Sequence, residues 1–114
     1  MKHVSLIVYP ASDLTKAKQF FTKLLGAEPY VDSPYYVGYK SGDFEIGLDP
    51  NGAQYGAGAI PFWTVSDIAA SVKALVDAGG TIVQDVTDVA RGLLVARIKE
   101  PNGSLVGLRQ PPKG

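Results

Sequence analysis

FEIGLDPNG, residues 44–52, alternates apolar and polar side chains through Phe44, Glu45, Ile46, Gly47 and Leu48, then breaks at Asp49-Pro50-Asn51-Gly52. The pattern predicts a strand that ends in a turn. Gly47 stands in mid-strand, where a glycine weakens a sheet and offers nothing to pack. LVGLRQ, residues 105–110, repeats the arrangement around Gly107. Two strands therefore carry the same gap, and the segments around them also correspond.

Before the first gap, His3 to Val8 predicts a strand, and Ser12-Asp13 offers an oxygen to cap the orphan N–H groups of a helix. Leu14, Ala17, Phe20, Phe21, Leu24 and Leu25 follow at helical spacing, and Gly26 supplies the stop. Short strands follow near Glu28–Val31, Tyr35–Lys40 and Phe44–Leu48, with Ser41-Gly42-Asp43 turning between the last two. The second half has the same order. Ala59 to Val65 is a strand and Ser66-Asp67 a cap. Ile68, Val72, Leu75 and Val76 form a helical stripe that Gly79-Gly80 ends. Strands are expected near Thr81–Gln84, Leu93–Lys99 and Ser104–Arg109, with Glu100-Pro101-Asn102-Gly103 as the last hairpin turn. Asp13 precedes Gly26 by 13 positions, as Asp67 precedes Gly80. A strand–helix–three-strand unit used twice accounts for residues 1–114 as a single α+β domain, with modules at about 1–52 and 57–112 joined by the glycine-rich NGAQYGAG, residues 51–58.

Composition narrows the function. A chain of 114 residues, 46% hydrophobic and 19% charged, has enough apolar material for one packed core. Eleven basic and eleven acidic residues give zero formal charge with no basic stripe, so no nucleic-acid partner is expected. With no cysteine there are no disulfides, no thiolate nucleophile and no zinc–thiolate site, which fits a cytoplasmic location. The apolar run in MKHVSLIVYP is too short for a signal peptide. No segment nears the roughly 18 apolar residues of a membrane span, so no membrane partner is expected.

The four motifs HVSLIV with DLTKAKQFFTKLLG, FWTVSDIAASVKALVDAGG and IKEPNGSLVGL, in this order, resemble the vicinal oxygen chelate superfamily of glyoxalase I, bleomycin-resistance proteins, fosfomycin-resistance enzymes and extradiol dioxygenases. The resemblance covers essentially the whole chain. It implies two βαβββ modules whose sheets curve around a cavity, and a homodimer. It also implies four metal-ligand positions, which need His, Gln or Glu to supply lone pairs. Carried onto this chain, they fall on His3, Gly47, Ile60 and Gly107. Three of these side chains offer no donor. Shifting by one residue meets Ile46, Leu48, Val106 or Leu108, and shifting by two reaches Glu45, Asp49 or Arg109. The expectation is therefore no cofactor, with a divalent metal at a displaced site around Glu45 or Asp49 as the open alternative.

In the family the ligand side chains point into the cavity. Strand alternation then sends His3, Ser5 and Ile7 inward, along with Glu45, Gly47 and Asp49, Ile60, Phe62 and Thr64, and Leu105, Gly107 and Arg109. Hairpin pairing adds Tyr36, Gly38 and Lys40 on one side and Leu94, Ala96 and Ile98 on the other. On this reading the glycines widen a mostly apolar cup suited to a small molecule. The proposed ligand contacts are Ser5, Tyr36, Gly47, Asp49, Ile60, Phe62, Thr64, Leu94, Ala96 and Gly107.

His3, the only histidine, is either a general base in this cup or a strand-start residue without chemistry. Tyr30, Tyr35, Tyr36, Tyr39, Tyr55 and Phe62 serve either ligand stacking or plain strand propensity. Trp63 is expected outside the cup, under a helix. The two Pro-Asn-Gly turns need no chemistry. NGAQYGAG lacks the Lys-Ser/Thr ending of a phosphate loop, and the first helix's lysines are its solvated face. Two functions follow. One is a metal-independent binding protein that sequesters an apolar or aromatic small molecule, as the bleomycin-resistance branch does. The other is a glyoxalase-like lyase or isomerase, using a displaced metal or His3 acid–base chemistry.

Overall fold

A computed structural model describes residues 3–112. Its elements are β1 (Val4–Pro10), α1 (Leu14–Leu25), β2 (Val31–Ser33), β3 (Tyr36–Ser41) and β4 (Phe44–Asp49). A 3₁₀ turn (Gly52–Tyr55) follows, then β5 (Ile60–Thr64), α2 (Ile68–Asp77), β6 (Thr81–Ala90), β7 (Leu93–Lys99) and β8 (Leu105–Gln110). This is the α+β order βαβββ, twice. The chain divides into two compact units, Ser5–Ile60 and the described parts of Met1–Val4 with Pro61–Gly114. No helix among the described residues is long and apolar enough to cross a membrane.

In the first unit the strands lie in the order β2-β3-β4-β1. β1 runs parallel to β4, and the β2–β3 and β3–β4 pairs are antiparallel. Helix α1 starts where Asp13 accepts the Lys16 amide at 3.0 Å and stops at Gly26, whose φ of 64° suits a residue without a Cβ. Leu14, Ala17, Phe21 and Leu25 pack on Val37, Tyr39, Ile46 and Leu48. The other two apolar residues of the predicted stripe, Phe20 and Leu24, are 63% and 64% exposed. Tyr39 is buried in this core and keeps its hydroxyl satisfied, donating to the Lys18 carbonyl at 2.9 Å and pairing with Thr22 Oγ1 at 2.8 Å.

The second unit has the order β5-β8-β7-β6, with β5 parallel to β8 and the other pairs antiparallel. Asp67 caps α2 through the Ala70 amide at 3.1 Å, and the Gln110 side chain takes the Ile68 amide at 2.8 Å. Ile68 and Val72 pack on Ala96, Ile98 and Leu108, with Trp63, Leu75, Leu94 and Val106 around them. β6 is longer than its sequence suggests. It continues through Asp85, Thr87 and Asp88 because irregular pairing steps between Ile82 and Gln84, Gln84 and Thr87, and Asp88 and Ala90 absorb residues that break the alternation.

Candidate functional site

Each unit has one sheet face covered by its helix and one turned away from it. Register decides which side chains share the second face. The β3–β4 hairpin turns on two residues. Gly42 takes the positive φ, 63°, that the first central position of such a turn requires, and Ser41 pairs with Phe44. Gly38 then pairs with Gly47 and Lys40 with Glu45. Tyr36, Gly38, Lys40, Glu45, Gly47 and Asp49 therefore share the helix-free face, as the alternation predicts.

Two other strands are displaced by one residue from their expected faces. In β1, Leu6 pairs with Glu45 and Val8 with Gly47, while Ile7 and Tyr9 pack with the α1 core. Ser5 is on the parity of Ile7, so it does not join Gly47. His3 precedes β1 and is exposed. In VSLIV the one polar residue, Ser5, stands on the parity of the helix-covered Ile7, so it marks the wrong face. In β7, Arg97 pairs with Gly107, Val95 with Arg109 and Ala96 with Leu108. Leu94, Ala96 and Ile98 lie in the α2 core, not in the cup. The cause is the loop between β7 and β8, which has five residues because Ser104 belongs to it and its carbonyl takes the Glu100 amide at 2.8 Å. A one-residue change of register exchanges the faces of a whole strand.

The glycines do not open a cavity. A Cβ on Gly107 would stand 2.6 Å from Phe62 Cγ and closer still to Cδ2 and Cε2 of that ring. The ring of Phe62 therefore lies face-on over the glycine. A Cβ on Gly47 would meet the hydroxyl end of Tyr36, with Cζ at 2.7 Å, and the same ring lies 3.2 Å from a Cβ built on Gly38. Each module fills its own gap with an aromatic side chain, which explains why both strands tolerate a central glycine.

Around Phe62 the second unit gathers cations. Arg97 is 7% exposed, its guanidinium carbon 5.2 Å from the Phe62 ring centre, and its Nη1 donates to Gln84 Oε1. Arg109 Nε donates to Thr64 Oγ1 at 3.2 Å. Around Tyr36 the first unit is mixed in charge. The Tyr30 hydroxyl donates to Glu45, and Lys40 Nζ lies 4.7 Å over the Tyr30 ring. Asp49 Oδ1 accepts the Asn51 amide at 2.8 Å, which holds that carboxylate to its own turn. Ile60 is buried at the start of β5. Trp63 sits with the α2 core, as expected.

The family's metal does not fit these residues. Gly47, Ile60 and Gly107 bring no donor, two of these positions lie under aromatic rings, and among the described residues no three His, Asp or Glu side chains gather as a metal site needs. The residue that alternation missed is Arg97. A charged side chain in LLVARIK reads as solvent-facing, and only the loop length places it beside Gly107.

Comparison with known proteins agrees with this architecture. Among solved structures, a hypothetical protein from Bacillus halodurans superposes with a TM-score of 0.77 at 15% identity, covering 99% of this chain and 96% of that one. A glyoxalase/bleomycin resistance protein/dioxygenase superfamily member from Vibrio splendidus gives 0.68 at 19% identity, covering 96% and 98%. Methylmalonyl-CoA epimerase from Mycobacterium tuberculosis gives 0.70 at 16%, covering 96% and 88%. Identities this low speak for the fold alone. No curated protein matches. The sequence pattern of the Glyoxalase/Bleomycin resistance protein/Dioxygenase superfamily matches residues 2–108, nearly the full length of the two βαβββ units, and the chain belongs to that superfamily.

Proposed function

We propose that the protein is a metal-independent small-molecule-binding member of its superfamily, holding an apolar or aromatic ligand against the helix-free sheet faces. The observation that carries this is the substitution of aromatic-over-glycine pairs, Tyr36 on Gly47 and Phe62 on Gly107, for donors at two of the family's ligand positions. A half-buried ring such as Tyr36, backed by a sheet and bordered by a few polar groups, stacks planar molecules and needs no reactive group. Tyr36 and Thr64 remain the proposed contacts from the sequence; Phe62, 2% exposed between Gly107 and Arg97, packs the face instead, and Val95 stands on it where Leu94 and Ala96 were expected. The chain acts as a homodimer on this reading. Exposed Ile82, Val83 and Val89 on β6, the terminal strand of its sheet, supply apolar surface for an interface.

The first test is elemental analysis of purified, desalted protein before and after incubation with nickel, manganese, iron and zinc. The expected result is no metal near unit stoichiometry. One metal per chain, lost in His3→Ala, would overturn the proposal in favour of a lyase or isomerase with a displaced site. A thermal-shift screen of planar aromatic compounds completes it. A ligand at a hundred times its Kd stabilises by about 2.7 kcal/mol, or roughly 10 °C for a domain of this length.

A further inference from the structure

Helix α1 leaves part of its apolar stripe uncovered. Leu14, Ala17, Phe21 and Leu25 pack into the core, whereas Phe20 and Leu24, one turn apart, are mostly exposed. The Phe20 ring has a set position: it stands edge-on to Phe21, 5.3 Å between centres, and Phe21 rests against Tyr9. Lys16, Gln19 and Lys23 border the pair on the solvent side, and together they line one shallow depression. LTKAKQFFTKLL has three lysines and no Asp or Glu. Lys18 is taken up by Asp32 of β2, and Lys16 has a 4.0 Å contact with the exposed Asp13. The surface is thus apolar and cationic. Two such helices repel one another, so α1 does not suit α1 of another copy.

Strand β6 has the opposite character. TIVQDVTDVA holds two acids and no cation, and Ile82, Val83, Asp85, Asp88 and Val89 are all exposed. Irregular pairing decides how they are arranged. Val83 is the extra residue between Ile82 and Gln84, and Val89 the one between Asp88 and Ala90. Gln84 pairs with Arg97 and Thr87 with Val95, so Asp85 and Val86 both stand opposite Ala96. Asp88 pairs with Leu94. Ala96, Leu94 and Val86 belong to the α2 core, which puts both acids on the α2 side of the strand. Asp85 accepts the Val86 amide at 2.9 Å and Asp88 the Gly92 amide at 3.0 Å, so each carboxylate has a set direction. Irregularities repeated along one strand spoil it as a template for another strand. A partner of β6 therefore meets its side chains rather than its backbone edge, as a helix laid across it would. Lys16 and Lys23 lie about 10 Å apart along their helix, and Asp85 and Asp88 about 10 Å apart along their strand.

We propose that α1 of one chain packs across β6 of a second copy, with Phe20 and Leu24 against Val83 and Val89 and with Lys16 and Lys23 facing Asp85 and Asp88. The contact rests on the homodimer of the reading above and names the surface that meets β6. Made twice about a two-fold axis, it closes a dimer.

Sedimentation velocity of the full chain over a range of concentrations reads the contact. The wild type is expected to dimerise, more weakly as salt rises. Lys16→Glu with Lys23→Glu, and separately Asp85→Lys with Asp88→Asn, should each weaken the dimer at least tenfold, because attraction is lost and like charges meet. An equimolar mixture of these two variants should recover the dimer, since the reversed helix of one meets the reversed strand of the other. All four side chains are exposed, and Asp88→Asn keeps an acceptor for the Gly92 amide, so folding is spared. Phe20→Gln with Leu24→Gln removes the apolar half of the contact and should leave monomers. A dimer unchanged in that last variant, or a mixture that stays monomeric, would overturn the contact and leave a homodimer through another surface. A wild type that is monomeric throughout would overturn the contact and the dimer together; if it then sediments with phosphatidylserine vesicles and the Phe20→Gln, Leu24→Gln variant does not, the face belongs to a membrane. Ligand binding is decided by the thermal-shift screen, apart from each of these outcomes.

Discussion

Gly107→Ala is the most informative perturbation of this fold. The new methyl would stand 2.6 Å from Phe62 Cγ, against an ordinary contact of about 3.5–4.0 Å. Phe62 is only 2% exposed and lies under the Arg97 guanidinium, so the ring has no direction in which to retreat. Overpacking of this kind costs about 1–3 kcal/mol. Replacing glycine in a strand recovers about 0.5–1 kcal/mol of chain entropy. The net expectation is a loss of about 1–2 kcal/mol, or about 4–8 °C in Tm for a domain of this length. Gly47→Ala makes the opposite case. Its methyl meets the hydroxyl end of Tyr36, a half-buried ring that can swing outward, and the entropy gain offsets the lost contact to within about 1 kcal/mol. Urea unfolding followed by the fluorescence of Trp63, the single tryptophan, measures both. Combining Gly107→Ala with Phe62→Leu should make the alanine nearly neutral, since the clash goes with the ring. Equal costs at positions 47 and 107, or a strictly additive double variant, would refute the account of these glycines.

Two further outcomes test the cores and the last loop. Tyr39→Phe should cost about 1 kcal/mol by leaving the Thr22 hydroxyl short of a buried partner, and adding Thr22→Val should recover part of it; a larger loss in the double variant would contradict this. Glu100 accepts the Ser104 amide at 2.9 Å and the Asn102 amide at 3.0 Å, and these bonds, the Ser104 one foremost, hold its carboxyl below the ordinary 4.5. The unfolded chain therefore binds this proton more readily, and the contribution is present above pH 4.5 and lost as pH falls through the lower folded value. Glu100→Gln should flatten the acid side of a Tm–pH curve, and an unchanged slope would remove Glu100 from the account.

The order of elements was legible because helix signals are local. Asp13 and Asp67 cap, Gly26 and the Gly79-Gly80 pair stop, and both helices fall where those residues put them. Faces were legible in β5 and β8, where Phe62 and Gly107 share one side and Trp63 and Leu108 the other, and in the hairpin whose turn length was clear. Gly42-Asp43 fixed the β3–β4 pairing, so Tyr36 and Gly47 came out together. Ser104 reads as the first residue of β8 but closes a loop, which shifts every β7 side chain to the opposite face and brings Arg97 beside Gly107. β1 failed differently, since its one polar residue, Ser5, lies on the side its helix covers and points to the wrong face. The aromatic filling over each glycine was invisible too, because a gap in a strand and a gap with a ring in it have the same sequence.

The ring over Gly107 also bears on how this protein can change over generations. A carboxylate donor at that position cannot enter while Phe62 occupies the space, because even the first carbon of the new side chain collides with the ring. Removing Phe62 first leaves a hole under a buried arginine, and Phe→Ala losses in such settings run about 3–5 kcal/mol, a large part of the stability of an ordinary domain. Either order of events passes through a damaged intermediate. Placing a carboxylate here thus takes two coordinated replacements, and a population testing one mutation at a time meets a valley between them.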